Sequence, residues 1–287
     1  MLDTNDFPDA DIVVATWWQI AEWVSVLPPE KGIQFYFVQG HDLLPGLPAD
    51  RIRATYRNEM RKIVVSPWLQ QILATEYGAT DATLVPNGVR LDRFSDNTTR
   101  SEAGSRVGHL WSDAGVKNSR MAIEAMQIAR QEIPDLRGII FSSDNKPEIL
   151  AGLDWIDYYH TPRQDQIPAL YNQCHCWLFS SIAEGFGLPL LEAMASGTPV
   201  VATHAGAAPE LIDSTNGRLV ETTAEAMAAA ICELARLPRA EWQKLSAASR
   251  KVAENHDWSR SAQAFEAALL APFAEGNAAI ELTGPST

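Results

Sequence analysis

Three cysteines in 287 residues, Cys174, Cys176 and Cys232, cannot build a disulfide framework and fit a reducing compartment. No apolar run approaches the roughly 18 residues of a membrane span. Positive charge is scarce: 23 Lys and Arg against 36 Asp and Glu give a net charge of −13. A broad nucleic-acid-binding surface neutralises phosphate with Lys and Arg, so nucleic acid is not an expected partner. The opening stretch MLDTNDFPDADIVVAT has no basic region and no long apolar core, so it does not read as a secretory leader. These absences together predict a cytoplasmic protein. What remains is 46% hydrophobic and 21% charged, the composition of a globular chain. At about 150 residues per domain, its length predicts two domains.

Short apolar runs alternate with helical patterns, the rhythm of parallel α/β sheets. In the first part, strands are expected at Ile12–Thr16, Ile33–Gln39, Ile63–Ser66 and Thr83–Val85. Helices are expected at Trp17–Val26, Ala49–Met60 and Pro67–Tyr77. The segment from Pro86 to Phe94 breaks the rhythm at Asn87-Gly88, and Ser95–Gly104 is polar and linker-like, which puts the domain boundary at Phe94. The rhythm then restarts. Arg106–Leu110 and Cys176–Phe179 read as strands, Ser119–Glu132 as a helix, and three alanine-rich helices follow, the last at Ser259–Ala274 with a frayed tail beyond it.

Residues 184–203, EGFGLPLLEAMASGTPVVAT, concentrate the chemistry. Glu184 and Glu192 flank the glycine turn Gly185-Phe186-Gly187, and Leu188 and Pro189 lead into a helix. A glycine turn opening a helix gathers free N–H groups and the positive end of the helix dipole, which suits an anion. Carboxylates on either side suit hydroxyl groups. Phosphate in the middle with hydroxyls at both ends describes a sugar nucleotide.

The same stretch closely resembles the donor-binding motif of retaining GT-B glycosyltransferases, the family known as glycosyltransferases group 1 or family four. Pro86-Asn87-Gly88-Val89 resembles the family's interdomain segment, and Val107-Gly108 with Lys117 its first donor-domain loop. Ala205-Gly206-Ala207-Ala208-Pro209-Glu210 resembles its second glycine-rich turn, and Asp257-Trp258-Ser259 the start of its terminal helix. Ala15-Thr16-Trp17-Trp18 and the segment from Tyr36 to Asp42 resemble rhamnan-synthesis-type members.

The resemblance implies two Rossmann-like α/β domains of GT-B type, the first one shortened. Residues 1–94 would form a partial acceptor-side domain, 95–257 the donor-binding domain, and 258–287 a crossing helix and tail. It implies transfer of a sugar, with retention, from a nucleoside diphosphate sugar to a hydroxyl of a saccharide or lipid-linked acceptor. The setting would be polysaccharide or glycoconjugate synthesis, with no metal or other cofactor. Lys117 would neutralise the leaving diphosphate. Gly108 and His109 would line the donor loop, with His109 standing where the family has Arg, so that its diphosphate contact is weakened or pH-dependent. The backbone of Gly185, Phe186, Gly187 and Leu188 would hold the phosphates, Glu184 the sugar and Glu192 the ribose. A sugar-nucleotide epimerase or hydrolase on the same fold, or a non-catalytic donor-binding subunit, remain the alternatives.

Other constellations divide between two readings each. Gln39, His41 and Asp42 follow a predicted strand and read either as a surface turn or as acceptor-facing groups, which makes His41 a candidate catalytic residue. Arg53, Arg57 and Arg61 fall at i, i+4 spacing and read as a solvated helix face or as a peripheral contact to anionic lipid at the inner membrane surface. Asp9-Ala10-Asp11 and Cys174-His175-Cys176 have the residue types of metal sites but lack partner ligands, and buried thiols are expected at the latter. Asn97-Thr98-Thr99 is a glycosylation sequon only in a secreted chain.

Overall fold

The computed structural model describes residues 4–95 and 105–282, the side chains of residues 5 and 275–282 excepted. The linker-like stretch and the sequon within it therefore lie outside the described residues. The chain divides into two compact units, Met1–Asn87 with Ser259–Thr287, and Gly88–Trp258.

The first unit alternates β1 (Ile12–Ala15), α1 (Trp18–Val24), β2 (Ile33–Val38), α2 (Ala49–Arg57), β3 (Arg61–Val64), α3 (Pro67–Tyr77) and β4 (Thr83–Leu84). All pairs are parallel and the order is β1-β2-β3-β4. Right-handed crossovers in unbroken sequence order put α1, α2 and α3 on one face of the sheet. Tyr36 of β2 points there and stacks on Tyr56 of α2, with centroids 6.0 Å apart. The next residue, Phe37, points to the opposite face and meets Phe265 edge-on at 5.1 Å. That face, with Phe35, Ile63 and Val85, is covered by Ala264, Phe265, Ala268 and Leu269 of the last helix.

The second unit holds β5 (Arg106–Leu110), α4 (Ser119–Glu132), β6 (Arg137–Ser142), β7 (Ile156–His160), α5 (Ile167–Asn172), β8 (Cys176–Phe179), α6 (Leu188–Ala195), β9 (Val200–Ala202), α7 (Ala208–Leu211), β10 (Gly217–Leu219), α8 (Ala224–Arg236) and α9 (Arg239–Glu254). Its sheet is parallel, in the order β10-β9-β8-β5-β6-β7. From β5 the chain builds outward through β6 and β7, then returns to β5's other side and builds outward through β8, β9 and β10. The crossovers reverse between β5 and β8. Its core joins α4 and α8, through Met126, Ile123, Met227 and Ile231, to Val107, Ile140 and Leu178 of the sheet.

Several boundaries differ from expectation for physical reasons. Residues up to Phe94 were expected in the first unit, yet the division falls at Asn87/Gly88. Phe94 is buried, its ring meets Tyr171 of α5 at 6.0 Å, and its carbonyl accepts from Arg250 of α9 at 2.5 Å, so this turn is held by the second unit. Val89 pairs with Asp257, which brings the two crossings of the chain side by side. α10 (Trp258–Leu282) runs past the expected end at Ala274, with Pro272 inside it. The three-arginine helix face does not form. α2 ends at Arg57 and Arg61 opens β3, while Arg53 pairs with Asp50 at 3.2 Å and Arg57 lies over the Tyr77 ring at 5.3 Å. Among the described residues, no helix is long and apolar enough to cross a membrane.

Candidate functional site

In open α/β sheets, ligands bind outside the carboxyl ends of the strands where the crossovers reverse. In the second unit that point lies between β5 and β8. The loop after β5 runs to a single 3-10 turn at Gly115–Lys117, and the loop after β8 runs from Ser180 to Gly187 and opens α6. The two loops are tied together: Ile182 N donates to Val116 O at 2.7 Å and Ser180 Oγ to Lys117 O at 2.8 Å. These ties put the side chains of Lys117 and Glu184 face to face. Lys117 Nζ donates to Glu184 Oε1 at 2.5 Å, and Ser181 Oγ donates to the same oxygen at 2.8 Å. Glu184 is the more enclosed partner, its side chain 12% exposed against 34% for Lys117. The ammonium is therefore the group that solvent, or a ligand, reaches first.

A third loop supports this cluster. After β9, Thr203 Oγ1 donates to Ser181 O at 2.5 Å, and Ala207 N donates to Phe186 O at 2.8 Å. Gly206 makes the turn at φ +59°, where a Cβ would stand 2.5 Å from Phe186 O and 2.8 Å from Glu184 Cβ. Gly187 caps α6 at φ +101°, against the ring of Phe179. Only glycine combines that backbone with that closeness. The helix it opens is eight residues long; the Leu188 N–H has no intrahelical acceptor, Pro189 has no N–H, and Leu190 N donates to Gly187 O at 3.0 Å.

Glu192 lies one helical stretch further on, where Tyr171 OH donates to its Oε2 at 2.9 Å. Burial raises the Glu192 pKa, opposed by that hydrogen bond and by the charge of Arg93. Tyr171 is wholly buried, and burial with the neighbouring carboxylate pushes its phenol well up, so it stays a donor.

The other expected residues are placed differently. Gly108 sits inside β5 rather than in a loop, where a Cβ would meet the Trp177 ring at 2.2 Å, so its small size serves strand packing. His109 is also in β5, 3% exposed, with Nδ1 and Leu178 O 3.2 Å apart. Burial holds its pKa down to about 4, so it carries no charge near neutral pH. A pH-dependent contact to phosphate would be confined to acid. His41 belongs to the first unit. It shares a 2.7 Å hydrogen bond with Tyr77 OH and stacks on Tyr56 at 5.6 Å. Burial lowers its pKa, with Arg53 adding to the effect and Glu76 opposing it. Burial also pushes neighbouring Asp42 up to about 6.

Among the described residues no cluster of His, Cys, Asp or Glu could hold a metal ion. Asp9 pairs with Lys31 at 2.8 Å. Cys174, Cys176 and Cys232 are buried free thiols, and burial raises the Cys176 pKa to about 12. His175 Nδ1 accepts from Arg106 N at 3.0 Å. The roles of Ser181 and Tyr171 were not read from the sequence. The partner of Tyr171 is 21 residues away, a distance that no local pattern marks, whereas Ser181 stands three residues before Glu184, where the Ser-x-x-Glu spacing was a local signal.

Residues 105–236 match the family model for glycosyl transferases group 1. The matched span carries both site loops. The chain is 30% identical over 176 residues to the GtfA subunit of the UDP-N-acetylglucosamine–peptide N-acetylglucosaminyltransferase of Streptococcus pneumoniae, covering 55% of this chain and 35% of that one. It is 30% identical over 269 residues to the D-inositol 3-phosphate glycosyltransferase of Geodermatophilus obscurus, covering 83% and 56%. The chain thus spans from about a third to just over half of these relatives' lengths. A sucrose-phosphate synthase from Thermosynechococcus elongatus superposes with a TM-score of 0.77 at 20% identity, covering 92% of this chain and 74% of that one. The fold is α/β of GT-B type, built from two Rossmann-like units, with four strands in the first and six in the second among the described residues.

Proposed function

We propose that the protein binds a nucleoside diphosphate sugar in the second unit and transfers the sugar to a hydroxyl acceptor with retention, without a metal ion. The observation that carries this reading is the Lys117–Glu184–Ser181 cluster at the point where the crossovers reverse, beside the glycine turn that opens α6. As the bond between the anomeric carbon and the diphosphate breaks, electrons move to the phosphate oxygen. Lys117 and the positive end of α6, with the Leu188 N–H, oppose that charge, and preorganised charge of this kind is usually the largest catalytic contribution. Glu184, released from Lys117, accepts from donor sugar hydroxyls and steadies positive charge at the anomeric carbon. Glu192 accepts from the ribose. The GtfA relative, named for UDP-N-acetylglucosamine and a peptide, supports a sugar nucleotide as donor and glycoconjugate synthesis as the setting.

One observation favours a second reading. Among the described residues, the sheet of the first unit runs in unbroken sequence order without a crossover reversal, so it offers no ligand crevice of that kind. A donor-binding subunit that needs an acceptor-side partner fits this sheet, with His41 and Asp42 at its carboxyl edge. Calorimetry with UDP, GDP and dTDP, with and without EDTA, tests the shared part of both readings. Binding that survives chelation is expected; binding that needs manganese would overturn the metal-free claim. Sugar transfer to a hydroxyl acceptor by the purified chain separates the enzyme from the subunit, and free sugar released without acceptor would mark a hydrolase.

A further inference from the structure

We infer that His109 anchors one buried water molecule behind the Lys117–Glu184 pair and acts through it as a positioning residue for that pair. Leu178 O can only accept, so the Nδ1 facing it at 3.2 Å carries the ring proton. The neutral ring then leaves Nε2 as a bare lone pair. Nε2 is buried and has no partner among the described residues. A buried acceptor left unpaired costs the full desolvation of the group, so a donor is called for.

The space next to it sets the size of that donor. His109 lines a cavity of about 20 Å³ whose other walls include Lys117, Ser181, Glu184 and Pro189. That volume is enough for a water molecule. A phosphate oxygen is an acceptor and cannot pair with Nε2, so His109 does not meet the diphosphate itself. A water that gives one hydrogen to Nε2 keeps a second hydrogen and two lone pairs for the polar walls. Ser181 spends its hydroxyl hydrogen on Glu184 Oε1, so its oxygen is left to accept. Lys117 has further hydrogens to donate. The water links a rigid strand residue to the pair and positions its two side chains before a ligand binds. The positioning role rests on the donor-site reading of Lys117 and Glu184; the water site does not.

The wild-type chain decides the water site. A high-resolution crystal structure should show a water about 2.8–3.0 Å from Nε2, and nitrogen shifts at pH 7 should show the Nδ1–H tautomer. A protonated Nε2, or no density beside it, overturns the proposal. The positioning role is read by calorimetry with UDP, GDP and dTDP on two variants. His109→Phe removes the acceptor at similar volume, and His109→Gln restores an acceptor and a donor. His109→Phe should weaken the nucleotide that binds by about tenfold, and His109→Gln should stay within about threefold of wild type. Equal losses in both variants would leave His109 a packing residue. If His109→Phe does not fold, a loss beyond about tenfold in His109→Gln overturns the role and binding near wild type supports it. If wild type binds none of the three nucleotides, the donor reading fails, while the density and tautomer still decide the water.

Discussion

Lys117 and Glu184 neutralise each other across the β5–β8 crevice, at 2.5 Å, and Ser181 holds the same carboxylate oxygen. Each group is thus engaged by the other until a ligand arrives. A diphosphate can use the full charge of Lys117 only by drawing it away from Glu184, and that exchange frees the carboxylate for sugar hydroxyls. In the proposed function, donor binding and release of Glu184 then become one event.

Glu184→Gln tests this competition. The amide holds Lys117 less tightly, so affinity for a free nucleoside diphosphate should stay level or rise by several-fold, about 1 kcal/mol. Turnover should fall, because an interaction felt mainly in the transition state lowers kcat. Calorimetry with the free diphosphate is the direct check. A loss of more than tenfold would place Glu184 on the diphosphate instead.

Lys117→Ala should act in the opposite sense. Diphosphate binding should weaken by about 1–3 kcal/mol, the range for a charged hydrogen-bond partner. Binding of the bare nucleoside should change little. Equal losses for nucleoside and diphosphate would show that Lys117 contacts the base or ribose.

Much of this site could be read along the chain because its signals are local. Glu184, the glycine turn and Pro189 fall within one short run, and Lys117 follows β5 at the end of a single loop. Elements with sharp ends were also legible. α3 starts at Pro67, a residue suited to the first turn, and stops at Gly78 in the left-handed region. β3 was misplaced because Arg61-Lys62 reads as polar surface. In the fold Lys62 is buried, and its ammonium turns back to Asn58 O at 2.6 Å and Met60 O at 2.9 Å. The burial of His109 was equally hidden, since it depends on Leu178 from a strand brought alongside by the sheet.

Gly206→Ala should disturb the site from behind. The left-handed backbone and the contacts with Phe186 O and Glu184 Cβ should together cost about 2–4 kcal/mol of stability. Gly46 is the control, since it has φ +86° with nothing within 4 Å of a Cβ. Gly46→Ala should show only the backbone cost, about 1–2 kcal/mol. Urea unfolding of the two variants gives the comparison, and equal losses would remove the steric argument.

Glu192 offers a test in which stability and function move apart. Burial raises its folded-state pKa above the value it has in the unfolded chain. The folded protein therefore binds the proton more tightly than the unfolded chain does. This contribution to stability is fully present below the unfolded carboxylate range and is lost as pH rises through the raised folded value. Glu192→Gln keeps the shape and an oxygen for the Tyr171 hydroxyl, but has no charge to desolvate. The Tm of the variant relative to wild type should thus be more favourable at pH 7.5 than at pH 4. The same change should weaken both the free nucleotide and the sugar nucleotide, because both carry the ribose that Glu192 is proposed to hold. Thermal scans at the two pH values, read beside calorimetry at pH 7.5, separate the two effects. A relative Tm that does not move with pH would mean that Glu192 is better solvated than its place against Tyr171 implies. Unchanged nucleotide affinity would remove it from the ribose.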